Sequence, residues 1–314
     1  MITMFSFEGD RNTNDVIDWL SYYGCSFRRI DLNKEDYRNI SIQKSGESFD
    51  IGLKLSTGEV LNISEYPYFF TRGKGFEFQD IKNSTNLPDE VFHKYIKEEY
   101  ETLTNFFYSE INKNTFGCFY NDSHSKLNQI KYASEVGLDI PDFVITNNKK
   151  SLVNSIGKES LITKAIENNI GINHDGRLIV QRVQKIDFEN IEDIFFPSLF
   201  QTEIDKEFEI RVFYLDGKCY TIRFRSASTN IDMRDNYSVS EYEPFSLSTE
   251  LELKITAFMK KMQLVSGSLD FIKSTNGIYY FLEVNPNGQY DWVSQYGGYN
   301  LHEKIARFLI SKVK

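Results

Sequence analysis

Through its first seventy residues the chain alternates short apolar runs, MITMFSF, IGLKL and YPYFFTR, with one helical stretch, NDVIDWLSYYG. Gly24 stands where that helix should end, so the pattern predicts a small α/β unit. From Asp89 to Ile111 the period becomes helical, with Val91, Tyr95, Tyr100, Leu103, Phe106 and Phe107 recurring on one side. Near residue 120 the character changes. NDSHSKLNQIKYASEVGLDIPDFVIT predicts a helix capped by Asp122 or Ser123, ending at Gly137, and then a strand led by Pro141. A helix (SLVNSIG), a strand (SLITKAI), a polar link (ENNIGINHDGR) and a further strand (LIVQRVQ) come next. Beyond Ser198 the pattern predicts two hairpins, EFEIRVFYLDGKCYTIRFRS and GSLDFIKSTNGIYYFLEVNP, with a helix between them from Ser248 to Met262 and a last helix over Leu301 to Lys314. Strands, a helix laid over them and strands again predict an α+β platform. The expected parts are 1–120, 121–197 and 198–314.

The final hairpin carries the first chemistry. Asn276-Gly277 between apolar strands predicts a two-residue turn that pairs Thr275 with Ile278. Counting back from that turn puts Asp270 opposite Glu283, with Cβ atoms about 5 Å apart. Such a pair repels by roughly 3 kcal/mol at an effective dielectric near 20, and a cation removes the repulsion. Asn285 lies two residues beyond Glu283 and shares its face. Two carboxylates and an amide oxygen are hard ligands suited to Mg²⁺. Leu269, Phe271, Leu282 and Val284 are expected on the opposite face, as they would be in an ordinary half-exposed strand.

LEVNPNGQ, with Asp270 on the partner strand, resembles the closing metal motif of ATP-grasp enzymes. The resemblance covers most of the chain beyond residue 120. It implies an ATP-grasp fold, two α+β subdomains clamping ATP, with Mg²⁺ held by Asp270, Glu283 and Asn285. It also implies nucleotide contacts from Lys126, at the start of a helix, and from Lys164, in the apolar strand SLITKAI. On the residues alone, Lys164 either meets an anion or snorkels. Gln201-Thr202-Glu203-Ile204 looks like the family's hinge, which implies adenine at Glu203 and Ile204 mainly through backbone, a further nucleotide contact at Gln201, and ribose at Asp205 or Glu209. ENNIGINHDGR departs from the family's usual Gly-rich phosphate-covering loop. No Walker A sequence is present.

The first hairpin holds Arg211, Arg223 and Arg225 among apolar neighbours, and arginine binds two oxygens of a carboxylate or phosphate at once. A two-residue Asp216-Gly217 turn would put Arg211 and Arg223 on opposite faces. A three-residue loop pairing Tyr214 with Lys218 would put Arg211, Arg223 and Arg225 on one face, and chemistry favours that register. The resemblance then implies that Arg211 and Arg223 are catalytic, steadying an acyl-phosphate and the oxyanion that follows. Glu209-Ile210-Arg211-Val212, the segment from Asn285 to Trp292, and FFTRGKGF are similar to graspetide synthetases, in particular the grasp-with-spasm group. These ATP-dependent ligases join Asp or Glu side chains of a ribosomally made precursor to Ser, Thr or Lys as esters or amides. Arg72 faces either the nucleotide cleft or a backbone carbonyl. A RimK-like or glutathione-synthase-like ligase that adds a free amino acid is the alternative.

Composition narrows the partners. The formal charge of -9 disfavours nucleic acid, and an acidic precursor must be attracted by a local basic site. Aromatics at 15% favour well-filled cores and a peptide-binding surface. Cys25, Cys118 and Cys219 are isolated, which argues against disulfides and a cysteine metal cage. The start turns polar too early for a signal peptide, and no apolar run reaches membrane-span length, so a cytoplasmic protein is expected. A leader and acidic core peptide are the expected partners, and a homodimer is allowed.

Overall fold

The computed structural model describes residues 1–73, 75–78, 90–119, 124–157, 160–166, 171–174, 177–180, 183–226 and 239–314. Asn121, Asp122, Ser123 and most of the polar link ENNIGINHDGR lie outside them.

The N-terminal part opens with β1 (Ile2–Phe5), α1 (Arg11–Tyr22) and β2 (Phe27–Ile30). Asp10 caps α1 by accepting from the Thr13 amide at 3.1 Å. Next come β3 (Ile40–Ser45), β4 (Ser48–Lys54) and β5 (Val60–Asn62), an antiparallel sheet, then β6 (Phe69–Thr71), α2 (Glu90–Asn112) and β7 (Thr115–Phe116). Strands β2-β1-β6-β7 form a parallel sheet in that order. Phe107 and Ile111 of α2 pack with Phe5, Leu53, Leu61 and Phe69 between the two sheets.

Helix α3 (Lys126–Glu135) follows, then β8 (Phe143–Asn148), α4 (Lys149–Ile156) and β9 (Leu161–Lys164). Strands β10 (Gly171–His174) and β11 (Arg177–Val180) pair as a hairpin, and β12 (Gln184–Lys185) and β13 (Ile194–Thr202) come after them. The central sheet has the order β12-β9-β13-β8 and is antiparallel. Leu152 of α4 covers one face by packing on Leu161 and Phe200. β13 runs through position 198, and its pairing with β8 and β9 ties it to the central sheet up to Thr202.

The third sheet is built from β14 (Lys206–Leu215), β15 (Lys218–Ser226), β16 (Val239–Pro244), β17 (Ser266–Ser274) and β18 (Tyr279–Asn285). Its order is β16-β15-β14-β17-β18, with every neighbour antiparallel. α5 (Thr249–Lys261) sits in the connection from β16 to β17. Ser248 caps it, Glu250 and Glu252 lie in its first turn, and Lys260 and Lys261 lie in its last, as the helix dipole favours. One face of the sheet is buried against α3 and α5 through Ile210, Val212, Leu269, Phe271 and Phe281. At one end the other face joins α6 (Asp291–Gly297) and α7 (Leu301–Val313). There Phe213, Leu215 and Ile222 share a core with Tyr290, Leu301, Ile305 and Leu309, and with Met4, Val16, Leu20 and Phe70 of the N-terminal part. Among the described residues no helix is long and apolar enough to cross a membrane.

Both C-terminal hairpins differ from their sequence reading at the turn. Asp216 and Gly217 have φ of 44° and 86°, and Leu215 pairs with Lys218, so this is the two-residue turn. Left-handed conformation at both central positions matches the right-handed twist of the strands, and that geometry prevails over the three-residue loop. In the last hairpin the Ser274 amide bonds the Ile278 carbonyl at 2.9 Å. The loop is therefore Thr275-Asn276-Gly277, with only Gly277 at positive φ, 94°. A bulge then leaves Leu282 unpaired, between the pairs Phe271–Phe281 and Asp270–Glu283. Phe281 and Val284 both reach the core, whereas Leu282 is only half-buried and does not take the core position expected of it.

Candidate functional site

Cross-strand pairing lines up side chains in rows on the face of the third sheet turned away from α3 and α5. The middle row reads Glu283, Asp270, Arg211, Ile222 and Pro244 across the five strands. Beside it run Asn285, Ser268, Phe213 and Tyr220, and on the other flank Tyr280, Ile272, Glu209, Phe224 and Tyr242. Adjacent strands put opposed Cβ atoms within about 5 Å, so the two carboxylates and Arg211 form one charged strip. Arg211 Nη1 donates to both oxygens of Asp270, and its guanidinium lies 5.6 Å from the Trp292 ring centre. Arg211 Nε is buried and has no hydrogen-bond partner among the described residues. Burial pushes the Asp270 carboxyl up to about 6; Arg211 opposes the rise and Glu283 adds to it.

Lysines from two other elements join the strip at its Glu283 end. Lys126, buried at the start of α3, puts Nζ 3.6 Å from Glu283. Lys164, at the end of β9, is pushed down to about 8 by burial and then by repulsion from Lys126, with Glu283 acting the other way. Three elements far apart in sequence thus bring Lys126, Lys164 and Glu283 into one electrostatic group. A lysine whose charge is disfavoured by burial and by a second cation gains strongly from an arriving anion.

A family model of the RimK-like ATP-grasp domain matches residues 123–309, more than half of the chain. The chain belongs to this family. Its fold agrees with solved ATP-grasp structures. A RiPP-associated ATP-grasp ligase from Chryseobacterium gregarium, in complex with ADP and a leader and core peptide, is 21% identical with TM-score 0.79, covering 100% of this chain and 97% of that one. The macrocyclase MdnC from Microcystis aeruginosa MRC, bound with precursor peptide MdnA, is 20% identical with TM-score 0.75, covering 99% of each chain. The ATP-grasp ligase PsnB, complexed with minimal precursor, Mg and ADP, is 15% identical with TM-score 0.73, covering 100% and 97%. No curated protein matches the sequence.

Within this RimK-like ATP-grasp chain the segment expected to be the hinge is already well bonded. Gln201 is buried on β13. The Glu203 amide donates to the Ser160 carbonyl at 2.9 Å, and its carboxylate takes Ser160 Oγ and Lys185 Nζ, the latter at 2.8 Å. Ile204 is half-buried just beyond. Asp205 is tied to the last turn, where its carboxylate accepts from Thr275 Oγ1 at 2.8 Å. Glu209 is buried, pairs with Lys206, and lies on the face of the charged strip one row from Arg211.

Arg223 does not join Arg211. Pairing of Ile210 with Arg223 sends its side chain to the α5 side, where Nε donates to Glu243 at 2.6 Å and the guanidinium lies over Phe208 and Phe245. The shared face expected for the two arginines is not formed, because the two-residue turn shifts β15 by one residue. Arg225 follows Arg223 to that side and pairs with Glu207 at 3.9 Å. Arg72 resolves to the backbone alternative: Nη1 donates to the carbonyls of Asn287 at 3.0 Å and Gly288 at 3.1 Å. Sequence reasoning missed Ile272 and Tyr280, the half-buried pair on the same sheet face next to Asp270. Counting on by two from Asp270 finds Ile272's face. Counting back from Glu283 gives Phe281 instead of Tyr280, because the bulge changes the phase.

Among the described residues no group of three or more His, Cys, Asp or Glu is placed to hold a metal. The candidate cation set is therefore Asp270 and Glu283 with the amide of Asn285, and it fits a hard divalent ion. Two carboxylates are opposed across one ladder, one with its pKa raised by burial and its neighbour, and in this structure each is compensated by a cationic side chain.

Proposed function

We propose that this protein is an ATP-dependent carboxylate ligase that closes rings in a ribosomally made precursor peptide. The observation that carries the reading is the strip Glu283–Asp270–Arg211 on adjacent strands, faced by Lys126 and Lys164. It is an acidic pair fit for Mg²⁺ between one arginine and two lysines fit for phosphate and carboxylate oxygens. The ligand-bound neighbours, with ADP, Mg and precursor peptides, support the choice of nucleotide and substrate.

Mg²⁺ on Asp270, Glu283 and Asn285 would neutralise charge on the phosphates of bound ATP. Lys164 and Lys126 hold those phosphates, and Glu209 takes the ribose hydroxyls. Adenine lies at the hinge, against Gln201 and the main chain of Glu203 and Ile204, with Ile272 and Tyr280 as its apolar bed. Arg211 orients the substrate carboxylate. A carboxylate oxygen of an Asp or Glu side chain attacks the γ-phosphorus, the bond to the β-bridging oxygen breaks, and ADP leaves. A Ser or Thr hydroxyl or a Lys amine then attacks the acyl carbon. Phosphate departs, the nucleophile's proton goes to solvent, and an ester or amide remains. Arg211 steadies the oxyanion of that second step. The protein works in the cytoplasm on a peptide with a leader and an acidic core.

The test is to incubate the chain with ATP, Mg²⁺ and a candidate precursor, and to measure peptide mass. Loss of one water per ring, with ADP formed, is expected. Transfer of a labelled free amino acid without ring closure would replace this reading with the RimK-like or glutathione-synthase-like alternative.

A further inference from the structure

The parallel sheet β2-β1-β6-β7 has its switch point between β1 and β6, since the chain continues from β1 to β2 on one side and from β6 to β7 on the other. In open α/β sheets ligands lie outside the carboxyl ends of the strands at such a point. Here that position is occupied by the chain itself. Asp10, beyond β1, and Arg72, beyond β6, form a buried ion pair with Nε to oxygen at 3.0 Å. Arg72 also donates to the carbonyls of Asn287 and Gly288, and its guanidinium lies 5.1 Å from the Tyr290 ring centre.

The held loop leads directly out of the cation site. Asn285 Oδ1 accepts from the Asn287 amide at 3.1 Å. Asn287 pairs with the Cys118 main chain like a strand neighbour, donating from Nδ2 to the carbonyl at 2.7 Å and accepting from the amide at 3.3 Å. Gly117 makes room for this contact. A Cβ there would lie 2.7 Å from Asn287 Oδ1 and 2.1 Å from the Thr71 carbonyl, at a φ of +71°. Two residues beyond Asn287, Asn12 Nδ2 donates to Gln289 Oε1 at 2.9 Å, and His302 Nε2 lies 3.1 Å from Asn12 Oδ1. Loop 287–289 is therefore fixed by the N-terminal part, across more than two hundred residues of chain.

We propose that Arg72 and Asn287 are positioning residues for the cation site: they clamp the loop that follows Asn285 and so hold its amide on the face of Asp270 and Glu283. The inference rests on the nucleotide and Mg²⁺ reading above and adds that the N-terminal part sets the affinity for the ion. A guanidinium that holds a carboxylate through Nε and two carbonyls through Nη1 has no substitute in lysine, which is a point charge on a flexible stem.

The experiment titrates Mg²⁺ into the full chain saturated with ADP, by calorimetry, for the wild type, Arg72→Lys and Asn287→Ala, with Asn285→Ala as the reference loss. Supporting groups around a metal site typically matter by about 10–100-fold in affinity, and a loss of that size is expected in both variants, with ADP binding in metal-free buffer changed by less than about twofold. Amide exchange across residues 287–290 should quicken in both, while α5 is unchanged. Unaltered Mg²⁺ affinity in a folded variant, or a parallel loss of metal-free ADP binding, overturns the proposal. Asn287→Ala leaves the Asp10–Arg72 pair intact and decides the matter alone if Arg72→Lys fails to fold. A wild-type chain that binds no ADP with Mg²⁺ overturns the functional reading itself, whereas wild-type binding with unaffected variants overturns only the clamp.

Discussion

The two hairpins of the C-terminal sheet have similar sequences and behave oppositely. Each places Gly after Asp or Asn between apolar strands. Asp216-Gly217 closes in two residues, and a one-residue difference from the three-residue reading moves Arg223 to the wrong face for catalysis. Thr275-Asn276-Gly277 closes in three where two are predicted, yet Asp270 still meets Glu283, because the bulge at Leu282 takes up the difference. A turn dipeptide constrains its own dihedral angles. Which side chains share a face several residues away depends on what else holds the strands. In the last hairpin two forces act. Asp205 binds the amide and hydroxyl of Thr275 and so anchors the turn to the chain just before β14, and the core takes both Phe281 and Val284, three apart, which a regular strand cannot present to one side.

The largest effects should come from the hairpin whose site register survives. Asp270→Asn and Glu283→Gln should lower turnover by at least about 10³, the upper range for loss of one charge-stabilising group, with the fold intact by circular dichroism. Activity near wild type in both would remove the cation assignment. Next, the two arginines should separate. Arg211→Lys is expected to cost about 10²–10³ in ring formation while ADP affinity holds, whereas Arg223→Lys, on the far face with an exposed partner, should stay within about threefold. Equal losses would mean that the register seen here is not the working one.

Lys164 gives the pH test. Its folded pKa, about 8, lies below the ordinary 10.5, so the unfolded chain binds more protons between those values. This group therefore makes stability rise with pH across that window, and Lys164→Met should remove that slope from the melting profile. Nucleotide phosphate favours the charged amine, so ATP binding at pH 8 should take up about half a proton, read from calorimetry in buffers of different ionisation heat. No uptake, with unchanged ATP affinity in Lys164→Met, would return Lys164 to a snorkelling role. The smallest effects belong to the turns. Gly217→Ala and Gly277→Ala put a Cβ at φ of 86° and 94°, and each should destabilise by about 1–2 kcal/mol in urea denaturation. Gly217→Ala should leave Arg211 in place, since β14 is also held by β17.

Much of the frame was legible because its signals are local. α1 ends just before Gly24, the helix predicted from Asp89 runs Glu90–Asn112, and α5 starts at its Ser248 cap, each following from period and capping chemistry. The short helix α6 and the edge strand β16 were not foreseen. α6 has seven residues, too few for a helical period to show, and β16 pairs only along one side.

Within the site the division has the same physical origin. Alternation along β17 and β18, with two carboxylates and an amide spaced to share a face, is a property of neighbouring residues, and the sequence alone was enough to point to a hard cation there. Three other facts needed the folded chain. Lys126, Lys164 and Glu283 meet from α3, β9 and β18. Arg72 reaches the Asn287 loop rather than the nucleotide. Arg211 faces Asp270 without Arg223. These depend on strand register and on contacts between distant segments, and a one-residue slip reverses every side chain, so only the tertiary packing that fixes the register can decide them.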